Sequence, residues 1–491
     1  APLNQAVNAC RRKGGVVAVG AVGMEIDRDE LYAKELDLLI STSYGPGRYD
    51  PVYEEQGHDY PLGYVRWTEQ RNMLSFLELV AAGKVRPAEL VTLQGPPDDA
   101  PQVYQGLADT GTQHLAALFV YQAAQHMDEP LRSPSTVWEI KAGPKKQGRV
   151  GLGLIGAGNY AAAFHLPNIE ANPAAQLRAV ATHKGVEAKR LAERYGAALA
   201  TTQPEQAIAC DDVDCLIVAT RHDSHAALGL EALRAGKHVF IEKPLALSLD
   251  DLTELIRASR ESGRALSVGH NRRFSPHIRE LLDWRRKLGG PLQMIYTVNA
   301  EALPGAHWIN DPAIGGGRLL GEGCHFLDLL CQIAGARPTA LYAQGVLRPG
   351  VDPALCQDFS VSLNFADNSI GRLDYVSQGI KELPKERIEV FAQGQACLVY
   401  DFKRTQFLGT QRKELRTRAQ DKGQRPQFDD WIAYLGGKPA DPLLLPDAAL
   451  GTYLALCAAQ SLAQDKAEQL DFDRFCEQAA ADTKAESTES E

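Results

Sequence analysis

The tripeptide Glu242-Lys243-Pro244 directly follows a short apolar run. A lysine at the end of a strand can hydrogen-bond a reacting oxygen and stabilise the charge that develops on it. Glu322 and His325 stand three residues apart, so on a helix they share one face. A histidine there can exchange a proton with a substrate hydroxyl while a hydride moves. We therefore take Lys243, His325 and Glu322 as the candidate catalytic residues.

Each of these assignments has a structural alternative. Glu242 and Lys243 could form a surface ion pair, which contributes little to stability, and His325 could be a core histidine at a helix start. A metal site formed by His222, His225 and His325 lacks an acidic or cysteine ligand at a suitable spacing. None of the nine cysteines forms a C-x-x-C pair. We therefore expect reduced thiols and no bound metal.

A glycine turn follows the apolar run 150–155 and opens the next helix. Its sequence, GAGNYA at 156–161, fits the pattern G-x-G-x-x-G/A. The first glycine permits the tight turn, the second lets the backbone approach a pyrophosphate, and the small last residue allows close helix–strand packing. The helix N-terminus adds free N–H groups and a positive dipole for the phosphates. We therefore predict dinucleotide binding at this turn. The residues assigned to it are Gly156, Gly158, Asn159, Tyr160 and Ala161.

The acid that normally holds the adenosine ribose is missing from the end of the second strand. Thr182, His183 and Lys184 stand there, and no carboxylate follows before Glu187. Thr182 and Lys184 could accept a 2′-phosphate instead, or Lys184 could be a solvated loop charge. The cofactor is therefore predicted as NAD or NADP, with Thr182 and Lys184 as candidate contacts.

Ligands of a doubly wound sheet bind beyond the carboxyl ends of its strands. Two such ends carry polar side chains, the stretch TRHDSH at 220–225 and the Glu-Lys-Pro turn. Five further cofactor residues are assigned from these ends: Thr220, His222, His225, Glu242 and Lys243. Three residues of the following region are predicted to line the substrate pocket, with packing or surface roles as the alternative: Asn271, Arg273 and Trp308.

The elements that must position these residues form two consecutive domains. Strands and helices alternate from 149 to 270, which is typical of a Rossmann doubly wound parallel sheet. Residues 271–476 mix helices with strands of alternating polarity, such as 360–365. This alternation predicts an α+β domain for substrate binding and oligomerisation, with a mostly antiparallel open sheet. The fold class is therefore α/β.

Three other regions flank these domains. Residues 1–125 form a partial Rossmann-like segment, in which the apolar run 16–19 predicts a buried strand. Residues 126–148 contain three prolines and are predicted to be a linker, although 137–140 could pair as a short strand. Residues 477–491 are polar and acidic, and we predict a disordered tail.

The composition excludes several classes of partner. The net charge of -10 offers no general attraction for nucleic acid or anionic lipid. No apolar run approaches the roughly 18 residues of a membrane span, and no signal peptide is visible. We expect a cytoplasmic protein that acts on a small molecule and binds neither nucleic acid nor membranes.

These motifs together resemble the glucose-fructose oxidoreductase / inositol dehydrogenase / MocA (Gfo/Idh/MocA) family over residues 149–465. The resemblance is carried by Gly-Ala-Gly at 156–158, Ala-Thr at 219–220 with His225 downstream, Glu-Lys-Pro at 242–244, Asn-Arg-Arg-Phe at 271–274, and the glycine-rich stretch before His325. It implies a Rossmann domain, a second domain whose open sheet often mediates homo-oligomers, and hydride transfer at a sugar or cyclitol carbon. It also implies that Lys243 and His325 are the catalytic pair. Many members carry an Asp four residues before the histidine, where this chain has Gly321 beside Glu322.

We therefore predict an NAD(P)-dependent oxidoreductase that acts on a hydroxyl or carbonyl carbon of a sugar, sugar derivative or cyclitol. One alternative is a redox-neutral glycosidase-type reaction through transient oxidation, which relatives of the family perform. The other is a non-catalytic cofactor-binding sensor, against which the retention of Lys243 and His325 argues.

Residues 1–125 resemble the C-terminal part of a medium-chain, zinc-dependent alcohol dehydrogenase. The resemblance is carried by residues 16–23, 44–49 and 59–67. The upstream zinc-ligand domain and the phosphate-binding glycines of such a protein are missing. The whole chain thus resembles a truncated bi-domain oxidoreductase in which Ala1 begins a fragment. We expect no zinc and no independent activity in residues 1–125.

Overall fold

The computed structural model describes residues 2–20, 23–41, 44–108, 114–121, 136–140, 143–305, 307–347 and 352–481. The chain divides into two compact units, Ala1–Leu131 and Arg132–Glu491. Residues 126–135 and 141–142 of the predicted linker, and residues 482–491 of the predicted tail, lie outside the described part. Among the described helices, none is long and apolar enough to cross a membrane.

The first unit contains two separate pairs of parallel strands. Its elements are α1 (Pro2–Ala9), β1 (Gly15–Ala18), α2 (Arg28–Lys34), β2 (Asp37–Ile40), α3 (Pro51–Glu54), α4 (Glu69–Ala81), β3 (Val91–Gly95), α5 (Ala100–Ala108) and β4 (Ala116–Phe119). Strand β1 pairs with β2, and β3 with β4. The prediction of a fully buried strand at 16–19 is wrong, because Val16 and Ala18 are buried but Val17 is exposed. Only one face of this pair is covered, and α1 contributes Leu3 to the same small core.

The second unit begins with the Rossmann domain. Its elements are β5 (Val137–Glu139), β6 (Val150–Ile155), α6 (Leu166–Ala171), β7 (Ala175–Ala181), α7 (Gly185–Tyr195), β8 (Leu199–Thr201), α8 (Pro204–Ile208), β9 (Cys215–Val218), α9 (His225–Arg234), β10 (His238–Ile241), α10 (Leu249–Ser262) and β11 (Leu266–Val268). The strand order is β11-β10-β9-β6-β7-β8-β5, and all neighbours are parallel except β5 with β8. The winding direction reverses between β6 and β9, which is where doubly wound sheets bind their ligands.

Strand β5 lies within the segment predicted to be a linker. It pairs antiparallel with β8 at the edge of the sheet. The Trp138 ring lies so close to Gly185 that a Cβ there would come within 2.3 Å of it. Lys145 also forms an ion pair with Asp214, which precedes β9. Residues 137–140 thus pair as the short strand that the sequence left open, because Trp138 anchors them to the domain.

The rest of the second unit is built on a nine-stranded sheet. Its elements are α11 (Pro276–Leu288), β12 (Gln293–Asn299), α12 (Cys324–Ala334), β13 (Pro338–Gly345), β14 (Phe359–Phe365), β15 (Ile370–Val376), β16 (Glu386–Ala392), β17 (Gln395–Tyr400), β18 (Arg404–Leu408), β19 (Leu415–Arg416), α13 (Gln424–Leu435), α14 (Asp447–Gln464), β20 (Glu468–Gln469) and α15 (Phe472–Ala481). The strand order is β19-β18-β17-β16-β12-β15-β14-β13-β20. Only β12 and β15 pair parallel, so the predicted mostly antiparallel sheet is confirmed.

One face of this sheet is covered and the other is open in the described chain. Helix α12 packs against the inner face and is buried along nearly its whole length. The strands alternate between buried and exposed positions, as β14 does. Ile370, Phe391 and Leu408 are exposed apolar side chains on these strands. The prediction that this face mediates homo-oligomers remains a proposal.

The predicted tail begins too early. Helix α15 continues through residues 477–481, which the sequence assigned to a disordered segment. Phe472, Cys476 and Ala479 are buried along one side of this helix, which packs against α10. The sequence analysis grouped residues 477–481 with the polar, acidic stretch after them, whereas the helical spacing of Phe472, Cys476 and Ala479 continues into this segment.

Candidate active site

The glycine turn has the geometry that a dinucleotide site requires. Strand β6 is buried at every position. Gly156 follows it with φ of +87°, and a Cβ there would lie 2.5 Å from the Ala219 carbonyl oxygen. A Cβ on Gly158 would meet nothing within 4 Å, so the backbone is open to a ligand there. Asn159 and Tyr160 are exposed beside this opening, whereas Ala161 is buried where the helix begins. The turn thus fits a pyrophosphate.

The end of β7 provides a hydroxyl and a cation instead of a carboxylate. The Thr182 hydroxyl donates to the Lys184 carbonyl oxygen at 2.8 Å, and Thr182 is buried. Lys184 is exposed and immediately precedes α7. Of the two residues predicted to contact a 2′-phosphate, Thr182 and Lys184, only Lys184 is therefore accessible to solvent.

His225 connects two turns of the Rossmann domain. Its Nδ1 lies 2.7 Å from the Pro244 carbonyl oxygen, and its Nε2 lies 3.3 Å from the Thr220 carbonyl oxygen. The ring is buried, and burial lowers the pKa of His225. Both nitrogens face protein carbonyls, so the ring holds the two turns together, and the predicted cofactor contact of His225 stays a prediction. The Thr220 hydroxyl accepts a hydrogen bond from Ser224 at 2.7 Å.

Glu242 is buried, so the alternative prediction of a surface ion pair between Glu242 and Lys243 is wrong. Its carboxylate lies 2.8 Å from Nε2 of His165, a residue that the sequence analysis missed. Gly269 is packed against this carboxylate, since a Cβ there would come within 2.5 Å of Oε2. The contact fixes the backbone on which Lys243 stands. Glu242 therefore holds the turn, and its predicted cofactor contact stays a prediction.

Lys243 joins the Rossmann domain to the second domain. Its Nζ donates a hydrogen bond to the Gly321 carbonyl oxygen at 2.6 Å. Gly321 belongs to an irregular helical turn, Leu319–Gly323, that leads into α12. The ammonium group thus lies beyond the end of β10. It contacts the residue that directly precedes Glu322 and lies four positions before His325.

Glu322 is a carboxylate surrounded by cations. It pairs with Arg318 and accepts a hydrogen bond from the Tyr375 hydroxyl at 3.0 Å. Burial alone would raise its pKa, but the charges of Lys243, Arg318 and Lys385 outweigh this and lower the pKa. Glu322 is therefore ionised and contributes negative charge near Lys243.

His325 lies in a buried cluster of charged side chains. Its Nδ1 has no hydrogen-bond partner among the described residues. Burial, followed by the charges of Arg272 and Lys243, holds its pKa well below the usual value, so the ring is neutral. The ring of His270 lies 5.4 Å away between centroids, and His270 pairs with Asp328. Burial would lower the pKa of His270, but Asp328 raises it to about 9.

Two predicted substrate residues are bound to the protein itself. Arg273 forms a two-pronged ion pair with Asp328, with both N–O distances at 2.7 Å. The Asn271 amide donates to the Lys422 carbonyl oxygen at 2.7 Å and is buried. All four residues belong to the second domain, and the assignment of Asn271 and Arg273 to the substrate pocket stays a prediction. His270 and Asp328, which complete this cluster, carried no motif that could reveal them.

Trp308, the third predicted substrate residue, does lie beside the site. Its ring meets that of His222 edge-on at 4.8 Å between centroids, and the Arg221 guanidinium lies 5.7 Å from the ring centroid. His222 follows β9, and its Nδ1 lies 2.8 Å from the Gly315 carbonyl oxygen. The loops after β9 and β12 therefore meet at this point, close to Gly321.

Comparisons with known proteins agree with this geometry. A family model described as "Oxidoreductase family, NAD-binding Rossmann fold" matches residues 150–270. A second, described as "GFO/IDH/MocA C-terminal domain", matches residues 277–394. The two matches follow each other in the order of the two domains seen in the fold.

Individual relatives give the same picture. The uncharacterized oxidoreductase YrbE of Bacillus subtilis is 27% identical over 49% of this chain and 70% of its own length. The myo-inositol 2-dehydrogenase of Thermotoga maritima is 27% identical over 50% of this chain and 72% of its own length. The fold matches that of the WlbA dehydrogenase from Bordetella pertussis, solved in complex with NADH and UDP-GlcNAcA. That match has a TM-score of 0.56 at 17% identity and covers 66% of this chain and 99% of that one.

The family model and the relatives identify an NAD-binding oxidoreductase. Residues 150–270 and 277–394 match family models of Gfo/Idh/MocA oxidoreductases, in agreement with the resemblance found in the sequence. Both family matches begin after residue 149. The resemblance of residues 1–125 to an alcohol dehydrogenase therefore stays a prediction.

Proposed function

We propose that this protein transfers a hydride between a nicotinamide cofactor and the hydroxyl or carbonyl carbon of a sugar, sugar derivative or cyclitol. The observation that carries this proposal is the 2.6 Å hydrogen bond between Lys243 Nζ and the Gly321 carbonyl oxygen. It brings the ammonium group, beyond the end of β10, next to the helical turn that holds Glu322 and leads to His325.

The chain's own groups suit this reaction. A nicotinamide cofactor, held by its pyrophosphate at the glycine turn, would supply the hydride acceptor or donor. Lys243 donates a hydrogen bond to the reacting oxygen and stabilises negative charge on it. A neutral imidazole near that oxygen takes up the hydroxyl proton, and His325 is the imidazole that the resemblance implies. Glu322 balances the positive charge that Lys243 and Arg318 bring.

The decisive experiment is a screen of polyols, sugars and nucleotide sugars with NAD and NADP in separate reactions. We expect substrate-dependent appearance of reduced cofactor, followed by its absorbance. Release of a sugar without net cofactor reduction would instead support the redox-neutral reaction. Tight cofactor binding without turnover of any compound would support the sensor.

The exposed Lys184 makes a prediction about cofactor choice. If its ammonium group meets a 2′-phosphate, Lys184→Ala raises the Kd of NADP about tenfold, since a charge-assisted hydrogen bond contributes ~1.5 kcal/mol. The Kd of NAD should change less than about twofold, because NAD lacks that phosphate. Titration of each cofactor by calorimetry measures both constants. Equal effects on the two Kd values would contradict the contact.

We further propose that the substrate carries an anionic group. A cavity of about 640 Å³ lies beside the site and is lined by Arg318, Glu322, Lys381 and Lys385, among others. Arg318 is paired with Glu322, and Lys381 lies 3.4 Å from Glu301. Lys385 forms no ion pair with any described carboxylate, yet its charge reaches Glu322. A carboxylate or phosphate on the substrate would complete this arrangement.

The test compares a hexuronate with the corresponding neutral hexose. Lys385→Ala is expected to raise KM for the hexuronate about tenfold, equivalent to ~1.4 kcal/mol, and to leave KM for the hexose unchanged. Lys413→Ala, which removes an exposed cation elsewhere in the same domain, is the matched control. An equal response of both substrates would rule out an anion contact at Lys385.

Residues 1–125 are proposed to be an alcohol-dehydrogenase-like segment without activity of its own. The small core around β1 and β2 supports this, because two-stranded sheets are marginally stable alone. Within the described residues, no group of three His, Cys, Asp or Glu side chains is arranged to hold a metal ion.

A further inference from the structure

We propose that Arg221 binds a phosphate group at the mouth of the active site. This phosphate is either the pyrophosphate of the nicotinamide cofactor or a phosphate of the substrate, and a guanidinium group recognises both by the same chemistry. The inference rests on the proposed function, since it adds a binding residue to the same site. The sequence analysis assigned no role to Arg221.

Arg221 stands where the sheet opens towards its ligand. It lies in the loop after β9, the strand next to β6 at which the winding direction reverses. The glycine turn packs directly on the end of this strand. A Cβ on Gly156 would lie 2.5 Å from the Ala219 carbonyl oxygen and 2.9 Å from the Thr220 backbone nitrogen. A pyrophosphate at the glycine turn would therefore lie close to Arg221, the next residue in the chain.

Contacts with the second domain hold the loop around Arg221 in place. The Nδ1 atom of His222 lies 2.8 Å from the Gly315 carbonyl oxygen. The backbone N–H of Asp223 donates a hydrogen bond to the Ile314 carbonyl oxygen at 3.1 Å. The backbone beside Arg221 is thus fixed before a ligand binds, which lowers the entropy that binding would cost.

Trp308 orients the side chain of Arg221. The guanidinium carbon lies 5.7 Å from the centroid of the Trp308 ring, and this ring meets that of His222 edge-on at 4.8 Å between centroids. A guanidinium group over an aromatic ring keeps the N–H groups at its edge free for hydrogen bonds. These N–H groups form the planar fork that binds two phosphate oxygens at once.

The described chain offers Arg221 no counter-charge. Its side chain is exposed and forms no ion pair with any described carboxylate, including Asp223 two residues away. Three other arginines near the site are each bound to a carboxylate of the protein: Arg272 to Glu386, Arg273 to Asp328 and Arg318 to Glu322. In contrast to these three, Arg221 keeps its donors available to an anionic ligand.

Arg221 acts on binding and not on the chemical step. Lys243 and His325 keep the roles given to them in the proposed function. A phosphate held by a two-pronged, charge-assisted hydrogen bond binds more tightly and with a defined orientation. Removal of Arg221 should therefore change the affinity for the ligand that carries the phosphate, whereas kcat at saturating concentrations should change less than about threefold.

The test measures the Kd of NAD and of ADP-ribose by calorimetry for the wild type and Arg221→Ala. ADP-ribose carries the pyrophosphate without the nicotinamide, so this measurement needs no turnover. If the phosphate belongs to the cofactor, both Kd values should rise about tenfold. Arg221→Lys should restore part of the loss, because lysine keeps the charge but not the planar fork. Arg264→Ala is the matched control, since this exposed arginine precedes β11 at the amino ends of the parallel strands.

A second arm compares KM for a nucleotide sugar with KM for the corresponding free sugar. If the phosphate belongs to the substrate, Arg221→Ala should raise only KM for the nucleotide sugar, about tenfold, and leave both cofactor Kd values unchanged. Unchanged values in both arms, or an equal rise of KM for the two sugars without an effect on the cofactor, would overturn the role of Arg221 while the proposed function stands. If the wild type oxidises no compound of the screen, the proposed function fails and calorimetry alone decides the role of Arg221.

Discussion

Replacing Lys243 by alanine is expected to lower kcat/KM about 10³- to 10⁴-fold with the best substrate of the screen. The reason is that Nζ is the cation held at the junction of the two domains, 2.6 Å from the Gly321 carbonyl oxygen. Without it, developing charge on the substrate oxygen has no donor at the end of β10. Initial rates over a range of substrate concentrations measure the effect.

Two controls separate chemistry from folding for this variant. Lys413→Ala should behave as the wild type, since this side chain is exposed on a loop between β18 and β19. The Kd of NAD should stay within about threefold for Lys243→Ala, because the glycine turn around Gly156 does not depend on this side chain. Full turnover by Lys243→Ala would show that the catalytic assignment is wrong.

The second large effect concerns stability. The Glu386 carboxylate is completely buried and accepts hydrogen bonds from Arg272 at 2.7 and 2.8 Å, from the Tyr296 hydroxyl at 2.6 Å and from Lys422 at 2.6 Å. Glu386→Gln leaves two buried cations without their counter-charge. We expect the unfolding free energy of the second unit to fall by about 3–5 kcal/mol. Urea denaturation at pH 7, followed by tryptophan fluorescence, measures the loss.

The pH dependence of this effect has a defined sign. Burial would raise the pKa of Glu386, but Arg272 and Lys422 outweigh it and lower the pKa far below the usual value. A depressed pKa stabilises the fold above the pKa of the unfolded carboxyl group, about 4.3, and this contribution disappears as pH falls through the folded-state value. The difference in unfolding free energy between the wild type and Glu386→Gln should therefore have its full value at neutral pH and shrink in strong acid.

Glu389→Gln is the matched control on the same strand. Glu389 pairs with Arg387, whose side chain is 45% exposed, and solvent screens this pair. We expect a loss below about 1 kcal/mol. Equal losses for the two variants would mean that the buried cluster does not stabilise the domain as argued.

Much of the site was within reach of the sequence because its parts are local. The glycine turn, the Glu-Lys-Pro turn and the spacing of Glu322 and His325 each depend on a few neighbouring residues. The backbone demands at Gly156 and the open space at Gly158 follow from the same pattern that predicted them. Strand alternation likewise predicted the antiparallel sheet, because period two places one face inside.

Partners distant in the chain were not predictable in the same way. Asn271 and Arg273 are polar residues near a predicted site. The sequence pattern around them is the same whether their side chains contact a substrate or another part of the protein. Their partners, Lys422 and Asp328, come from other elements, and no spacing rule connects them. The Glu242–His165 contact was missed for the same reason, since 77 residues separate the two side chains.

The sequence by itself determined that the chain contains a dinucleotide-binding sheet, a lysine at a strand end and a mostly antiparallel second domain. These properties depend on backbone conformation and on residue periodicity, which act over a few residues. Only the tertiary structure decided which polar groups remain free for chemistry. A side chain is available only if no distant partner takes it, and folding assigns Arg273 to Asp328 and Glu242 to His165, while it brings Lys243 to the Gly321 carbonyl oxygen in the next domain.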